Sequence, residues 1–234
     1  MGEAALLRDL HDGVLTLRLN RPAKLNAINA EISRPLLAEL LAADASPDVR
    51  AVLIHGNGRA FCAGRDIGAV PTEDDLVQVQ AVAEAIVRCS KPVLAAVHGW
   101  VVGAGLEWAL CCDIVIAAAD ARFKLPEASL GVFVTGGISA TLPALAGVSR
   151  AKALMLLGEP FTPAQALTWG LVWQVVAGGD LEATAQAMAH RLAALAPHVA
   201  QGFKRVLNQI GLPAFQQAID LESATMRAWT PDLG

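Results

Sequence analysis

Residues 101–110 read VVGAGLEWAL: two valines, a glycine-rich turn and a helix-length apolar segment that contains one carboxylate. A Gly103-Ala104-Gly105 turn just before a helix leaves backbone N–H groups without intrahelical acceptors, and such groups can bind an anion or stabilise an oxyanion. Glu107 has almost only apolar or glycine neighbours, and burial raises the pKa of an unpaired carboxyl. The segment therefore predicts either a general acid or base at Glu107 or a glutamate that caps a turn or faces solvent.

The surrounding stretch, residues 92–119, is mostly apolar and long enough to cross a bilayer. His98, Glu107 and Asp113 interrupt it, and its pattern changes from a short β-branched run to a helix-length segment. We therefore predict a strand at 93–97, a helix at 105–112 and a strand at 114–118 in a globular core, with no membrane partner.

Strand and helix patterns alternate up to about residue 148, after which the pattern is almost wholly helical. Further strands are predicted at 13–19, 51–55 and 172–176. Further helices are predicted at 30–43, 73–88, 137–146, 149–157, 162–169, 180–195, 197–209 and 213–228. Strands separated by helices indicate an α/β fold with a mainly parallel sheet covered on both faces.

The composition excludes several classes of function. The chain has 234 residues, 54% of them hydrophobic, with a formal net charge of −4, which allows one α/β domain and argues against binding of nucleic acid. Its four cysteines form no CxxC pair, as is typical of a reducing compartment. Residues 1–12 contain three acids and no apolar run, so we expect no signal peptide and a cytoplasmic location. The histidines show no metal-binding spacing, so we expect no metal.

Two other segments are candidates for a site. Leu125-Pro126-Glu127 places an acid directly after a proline, which fixes the local backbone and either aims Glu127 inward or leaves it in an exposed turn. Residues 61–67 read FCAGRDI and follow the strand at 51–55. This segment is either an ordinary loop or a ligand-binding loop, because parallel sheets bind ligands at the carboxyl ends of their strands.

Taken together and in order, these segments resemble the crotonase superfamily, also called the enoyl-CoA hydratase/isomerase family. The resemblance extends from about residue 14 to residue 176 and rests on residues 19–22 (LNRP), 25–27 (LNA), 61–67, 91–93 (KPV), 95–99 (AAVHG), 103–113, 126–127 and 130–131. It implies a repeated ββα spiral core with mainly parallel sheets at 1–176 and a C-terminal helical oligomerisation region at 177–234. It also implies a homotrimer or a dimer of trimers.

The resemblance also implies the parts of a site. The backbone N–H groups of Arg65 and Ala104 map to the family's oxyanion hole, which binds the thioester oxygen. Glu107 and Glu127 map to the two acids of the hydratases, with Glu107 activating water and Glu127 delivering the α-proton. The residues that map to the coenzyme A site are Lys24, Ala63, Arg65, Asp66 and Ile67. No separate cofactor is implied, because coenzyme A is part of the substrate.

The acyl group is expected to contact a wall built from residues 68–78 and 132–136, with Trp100 and Trp108 beside the glycine-rich turn and Val132 and Thr135 in the second segment. Two departures from the family pattern affect this region. Ala104 occupies a position where a third glycine is common, and residues 132–137 read VFVTGG where many hydratases have a proline and Gly-Gly-Thr.

Since both acids are present, the sequence favours a hydro-lyase of fatty acid metabolism that adds water to a trans-2-enoyl-CoA thioester. Two alternatives stay open. One is an enoyl-CoA isomerase, or another enzyme of crotonase-type thioester-enolate chemistry, in which a single glutamate moves a proton. The other is a protein that binds acyl-CoA without catalysis.

Overall fold

The computed structural model describes residues 3–68 and 72–229. The strands are β1 (Leu6–His11), β2 (Val14–Leu19), β3 (Ala51–Gly56), β4 (Ala60–Cys62), β5 (Val93–Val97), β6 (Trp100–Val102), β7 (Ile114–Ala118), β8 (Arg122–Lys124) and β9 (Gln174–Val176). The α-helices are α1 (Ala30–Ala45), α2 (Glu73–Arg88), α3 (Ala104–Cys111), α4 (Glu127–Leu130), α5 (Ile138–Ala146), α6 (Val148–Leu157), α7 (Pro163–Thr168), α8 (Leu181–Ala193), α9 (Pro197–Gly211) and α10 (Phe215–Trp229).

The strands form two sheets, and a ββα unit that occurs three times contributes one strand to each sheet. A six-stranded sheet has the order β1-β2-β3-β5-β7-β9, and a three-stranded sheet has the order β4-β6-β8. All neighbouring strands are parallel except β1 and β2. In each of the units β3-β4-α2, β5-β6-α3 and β7-β8-α4, the first strand joins the large sheet and the second joins the small one. The predicted ββα spiral core is therefore confirmed.

Both faces of the large sheet are buried, which explains its nearly continuous apolar strands. Along β3, Val52 and Ile54 belong to the core cluster that includes the buried faces of α1 and α2. The alternate residue Leu53 packs into a second cluster, formed with Leu181 and Ala185 of α8. The period of two along a strand thus sends successive side chains into two different layers.

The small sheet was not predicted in full. The pattern predicts a loop at 61–67 and a glycine-rich segment that begins at 101, yet Ala60–Cys62 and Trp100–Val102 are strands of three residues. β6 pairs with β8 in the register Val101 with Phe123. Three residues are too few to show a period, so the pattern could not separate these strands from turns. β1, which pairs antiparallel with β2, was also missed.

The C-terminal helices α9 and α10 contact different parts of the molecule. Lys204 of α9 donates from Nζ to the carbonyl oxygens of Ile86 and Lys91, at 3.0 and 3.2 Å, and forms an ion pair with Asp113 at 2.8 Å. α10 packs against α5. The division of the chain at residue 176 stays a prediction.

Residues 92–119, which resemble a membrane span in composition, contain β5, β6, α3 and β7. Within the part of the chain that the structure describes, none of the helices has both the length and the apolar character that a bilayer crossing requires.

Candidate active site

A cavity of about 740 Å³ lies at one edge of the small sheet. The loop that begins at Ala63 follows β4, the Gly103 turn follows β6, and the Pro126-Glu127 segment follows β8. Because these three strands are parallel neighbours, the segments after their carboxyl ends meet at the same edge. All three segments line the cavity. The sheet thus brings together three motifs that are far apart in the sequence.

Two glycines allow the first two segments to touch. Gly64 and Gly103 have φ angles of +89° and +52°, which other residues rarely adopt. A Cβ on Gly64 would lie 3.8 Å from the Cα of Gly103, and a Cβ on Gly103 would lie 2.6 Å from Oε1 of Glu127. A side chain at Gly103 would therefore displace Glu127. Ala104 does not need the conformational freedom of a glycine, since it begins α3 with a negative φ.

The amides of Arg65 and Ala104 are free donors at this contact. The Ile28 N–H donates to the Gly64 carbonyl at 2.8 Å and the Asp66 N–H donates to the Ile28 carbonyl at 2.9 Å, so the pairing skips the amide of Arg65 between them. Ala104 is the first residue of α3, where an N–H has no intrahelical acceptor. Among residues 3–68 and 72–229, neither amide has a hydrogen-bond acceptor. Two such donors on adjacent loops can stabilise a developing oxyanion.

Asn26 holds the loop that carries Arg65. It is fully buried, and it and Leu25 have positive φ angles. Its Oδ1 accepts from the Arg21 N–H at 2.8 Å. Its side-chain amide donates to the carbonyl oxygens of Asn57, Ala60 and Phe61. The Ala63 N–H then donates to the Leu25 carbonyl at 3.0 Å. The LNA motif is thus the internal support of the loop.

The residues assigned to coenzyme A lie together along the same cavity: Lys24, Ala63, Arg65, Asp66 and Ile67. Asp66 is bound to Arg21 at 3.0 Å, and hydrogen bonds from the Gly68 N–H and from Arg21 hold the pKa of Asp66 below its usual value. The carboxylate of Asp66 is therefore already paired within the protein. Lys24, by contrast, is exposed, and Ile67 is 91% exposed.

Glu107 is only 1% exposed, although it is a carboxylic acid. Its Oε2 accepts hydrogen bonds from the backbone N–H groups of Thr135, at 3.1 Å, and Gly136. Burial raises its pKa well above the usual value, repulsion by Glu127 and Glu222 adds to this, and the two backbone hydrogen bonds oppose it. The carboxyl group is held in one orientation and titrates far above a solvent-exposed glutamate.

Glu127 is the first residue of α4 and faces the same cavity. Burial raises its pKa from an ordinary value of 4.5 to about 7. Its buried Oε2 has no hydrogen-bond partner among the described residues. Two carboxyl groups with raised pKa values and two free amides therefore share one cavity. Such a set can take a proton from one atom of a ligand, return a proton to another and stabilise the negative charge formed between the steps.

The raised pKa of Glu127 predicts a pH-dependent stability. Between about pH 4.5 and 7 the folded protein holds more protons at this group than the unfolded chain, so the free energy of unfolding falls as the pH rises. We expect Glu127 to contribute a decrease of up to roughly 3 kcal/mol over that window. Urea unfolding at pH 5, 6, 7 and 8 measures it. The Glu127→Gln variant is expected to lose less stability than the wild type as the pH rises, and equal slopes would contradict the prediction.

The two tryptophans assigned to the acyl pocket do not line the cavity. Trp108 is buried in the core, where its indole N–H donates to the Val79 carbonyl at 3.0 Å. Trp100 lies on β6 and stacks its ring against the guanidinium of Arg122 at 5.6 Å. Because a helix turns by about 100° per residue, the neighbour of an inward-facing glutamate points elsewhere. Trp108 is thus a core residue and Trp100 an exposed residue of a strand, and neither lines the cavity, which corrects the expectation.

Residues of the second predicted wall segment, 132–136, line the cavity together with residues from other parts of the chain. Val132, Phe133 and Thr135 of that segment line the cavity, as do Leu130 and Met226, which were not predicted to contact the acyl group. Of the first wall segment, 68–78, residues 69–71 lie outside the described residues. Asp75 and Val79 of α2 line the cavity. Met226 belongs to α10, so the C-terminal region contributes to this site.

Comparisons with known proteins agree with the motif order. A sequence profile described as Enoyl-CoA hydratase/isomerase matches residues 9–231. The chain is similar to the 1,2-epoxyphenylacetyl-CoA isomerase of Escherichia coli (strain K12), with 36% identity over 227 residues that cover 93% of this chain and 87% of that protein. It is also similar to the 2,3-dehydroadipyl-CoA hydratase of the same strain, with 36% identity over 228 residues that cover 94% of this chain and 88% of that protein.

Among solved structures, an enoyl-CoA hydratase from Mycobacterium avium subsp. paratuberculosis K-10 matches with a TM-score of 0.90. It is 30% identical in sequence, and the match covers 95% of this chain and 90% of that one. The relatives thus include proteins named for hydration and a protein named for isomerisation.

Proposed function

Since the chain belongs to the enoyl-CoA hydratase/isomerase family, we propose that it is an enoyl-CoA hydratase, a hydro-lyase that adds water across the double bond of a trans-2-enoyl-CoA thioester. The observation that carries this proposal is the pair of carboxyl groups with raised pKa values, the buried Glu107 and the half-buried Glu127, in one cavity with two unpaired amides. Addition of water needs one group to deprotonate the water and another to protonate carbon, whereas a double-bond shift needs only one shuttle.

The proposed reaction begins with the thioester oxygen bound by the amides of Arg65 and Ala104. The reactive form of the pair has Glu107 ionised, with its Oε2 accepting two backbone hydrogen bonds, and Glu127 protonated. In this form Glu107 takes a proton from water while the water oxygen bonds to C3 and the double-bond electrons move to the thioester oxygen. The resulting enolate is stabilised by the two N–H donors, each worth about 3–4 kcal/mol in the transition state. Glu127 then delivers its proton to C2 as the carbonyl re-forms. A proton passing from Glu107 to Glu127 restores the starting state, so the pair titrates as a unit.

Coenzyme A is proposed to lie along residues 63–67, with Lys24 near its phosphates. The exposed position of Lys24 at the cavity and the pairing of Asp66 with Arg21 support this, because Lys24 offers a cation to the phosphates while the Asp66 carboxylate is already paired. Fatty acid metabolism and a cytoplasmic location stay predictions.

The test is loss of the enoyl absorbance when the protein meets crotonyl-CoA and longer 2-enoyl-CoA esters. We expect hydration by the wild type and none by the Glu107→Gln/Glu127→Gln double variant. Full activity in the double variant would show that neither acid takes part in the reaction. Binding of acyl-CoA with no turnover at any chain length would instead indicate a binding protein.

The second candidate is an isomerase, or another enzyme of thioester-enolate chemistry. It is favoured by the similarity to a protein named 1,2-epoxyphenylacetyl-CoA isomerase, which equals the similarity to the named hydratase at 36% identity. Product analysis after incubation with 2-enoyl and 3-enoyl thioesters distinguishes the two reactions. Conversion of a 3-enoyl to a 2-enoyl ester without incorporation of ¹⁸O from labelled water would establish the isomerase.

We also propose a homotrimer, or a dimer of trimers, formed through the C-terminal helices. α9 has one apolar face in solvent, formed by Val199, Phe203, Val206, Leu207 and Ile210, with Phe203 68% and Ile210 76% exposed. A contiguous exposed stripe of this kind marks an interaction surface. Light scattering is expected to give three or six times the monomer mass, and the Phe203→Glu/Ile210→Glu variant a smaller particle. A monomer mass for the wild type would contradict the proposal.

A further inference from the structure

The C-terminal helix α10 closes one side of the cavity and carries a third buried acid. Met226 lines the cavity. The helix is held on α2 by a hydrogen bond from Gln80 Nε2 to Ser223 Oγ at 2.6 Å and by the ion pair of Arg227 with Glu73. Glu222 lies on the same helix, is 1% exposed and forms no ion pair among the described residues.

The carboxylate of Glu222 caps a different helix. Its Oε2 accepts from the Gly137 N–H at 2.7 Å and its Oε1 accepts from the Ser139 N–H at 2.8 Å. These amides belong to the first turn of α5, which has no side-chain cap of its own. A local cap is excluded, because Gly137 has a φ of +78° and a Cβ there would lie 2.4 Å from the ring of Phe215. The acid that satisfies the start of α5 must therefore come from elsewhere in the chain.

The backbone that Glu222 holds is the same backbone that holds Glu107. Thr135 and Gly136, immediately before the capped residues, donate their N–H groups to Oε2 of Glu107. Gly136 lies directly against that carboxyl group, since a Cβ on Gly136 would be 2.7 Å from Oε2. Residues 135–139 thus connect two buried acids through four N–H donors. A shift at one end of this segment moves the donors at the other.

We propose that Glu222 is a positioning residue for Glu107: through residues 135–139 it fixes the donors that orient the Glu107 carboxyl group toward the ligand. This inference rests on the proposed function, because it takes Glu107 as the group that activates water. A misplacement of about 1 Å at a reacting group can lower a rate by about 100-fold. The contact of Glu222 therefore acts on turnover more than on substrate binding.

The test compares Glu222→Gln with Ser223→Ala. Glutamine keeps the size but has one acceptor oxygen instead of two, so one of the two amides loses its partner. We expect kcat for crotonyl-CoA to fall by about 10- to 100-fold while KM and the affinity for the saturated butyryl-CoA change less than about threefold. Ser223→Ala removes a neighbouring contact that holds α10 on α2 without touching residues 135–139, and is expected to keep kcat within about twofold.

Two further measurements test the proposal even if Glu222→Gln does not fold or the protein does not hydrate crotonyl-CoA. Glu222→Asp retains the charge but withdraws the oxygens by one methylene, and is expected to fold even if the glutamine variant does not and to show the same loss of kcat. Hydrogen exchange of the peptide containing residues 132–140 is expected to be faster in both Glu222 variants and unchanged in Ser223→Ala. This readout needs no turnover, so it separates a wrong function from a wrong role for Glu222. Wild-type kcat in both Glu222 variants, or unchanged exchange, would overturn the proposal.

Discussion

Glu107→Gln is expected to lower kcat for hydration of crotonyl-CoA by about 10²- to 10⁴-fold, the usual contribution of a positioned general base. The fold should survive, because the glutamine oxygen can still accept the hydrogen bonds from Thr135 and Gly136 that Glu107 Oε2 accepts. The variant should be as stable as the wild type or more stable above pH 7, since burial of the ionised Glu107 opposes folding. What is lost is the ability to take a proton from water.

The companion experiments use Glu127→Gln and the double variant. Residues that act as one unit give non-additive losses, so the double variant is expected to be little slower than the slower single variant. Thermal unfolding and binding of butyryl-CoA show whether each protein is folded and competent to bind. A Glu107→Gln protein that keeps more than half of the wild-type kcat would show that Glu107 is a buried structural acid.

Ala104→Pro is expected to lower kcat/KM by about 10²- to 10³-fold, the typical effect of removing one donor from an oxyanion hole. Proline lacks the N–H and is well tolerated at the first position of a helix, which Ala104 occupies in α3. The variant therefore removes the donor while the helix keeps its intrahelical hydrogen bonds. The loss should appear in every reaction that passes through a thioester enolate, so it is expected for hydration and isomerisation alike.

The matched control for this prediction is Ala104→Gly, which keeps the amide. It should retain most of the activity, at a cost of about 1 kcal/mol in stability from the added backbone freedom. Binding of free coenzyme A, which has no thioester oxygen, is expected to be equal in the wild type and both variants. Proline and glycine variants with the same kcat/KM would show that the amide of Ala104 has no part in the reaction.

Much of the fold followed from local pattern. The apolar period of β3, the amphipathic helix α2 and the helix-length run after Gly103 are each set by residues adjacent in sequence, so they were predicted nearly to their ends. β4 and β6 were missed because each has three residues, and a strand that short is defined by its partner in the sheet.

The sequence by itself determined the alternation of large-sheet strands and helices, the glycine-rich turn, the two acids at 107 and 127 and the loop at 61–67, because these depend on residue types at short spacing. Only the tertiary structure decided which side chains reach the cavity. Trp108 packs against Val79 in the core, although it is adjacent to Glu107. Glu222 meets Gly137 across 85 positions of sequence. Contacts of this kind depend on how whole helices dock, and burial then selects the acids whose pKa values are raised.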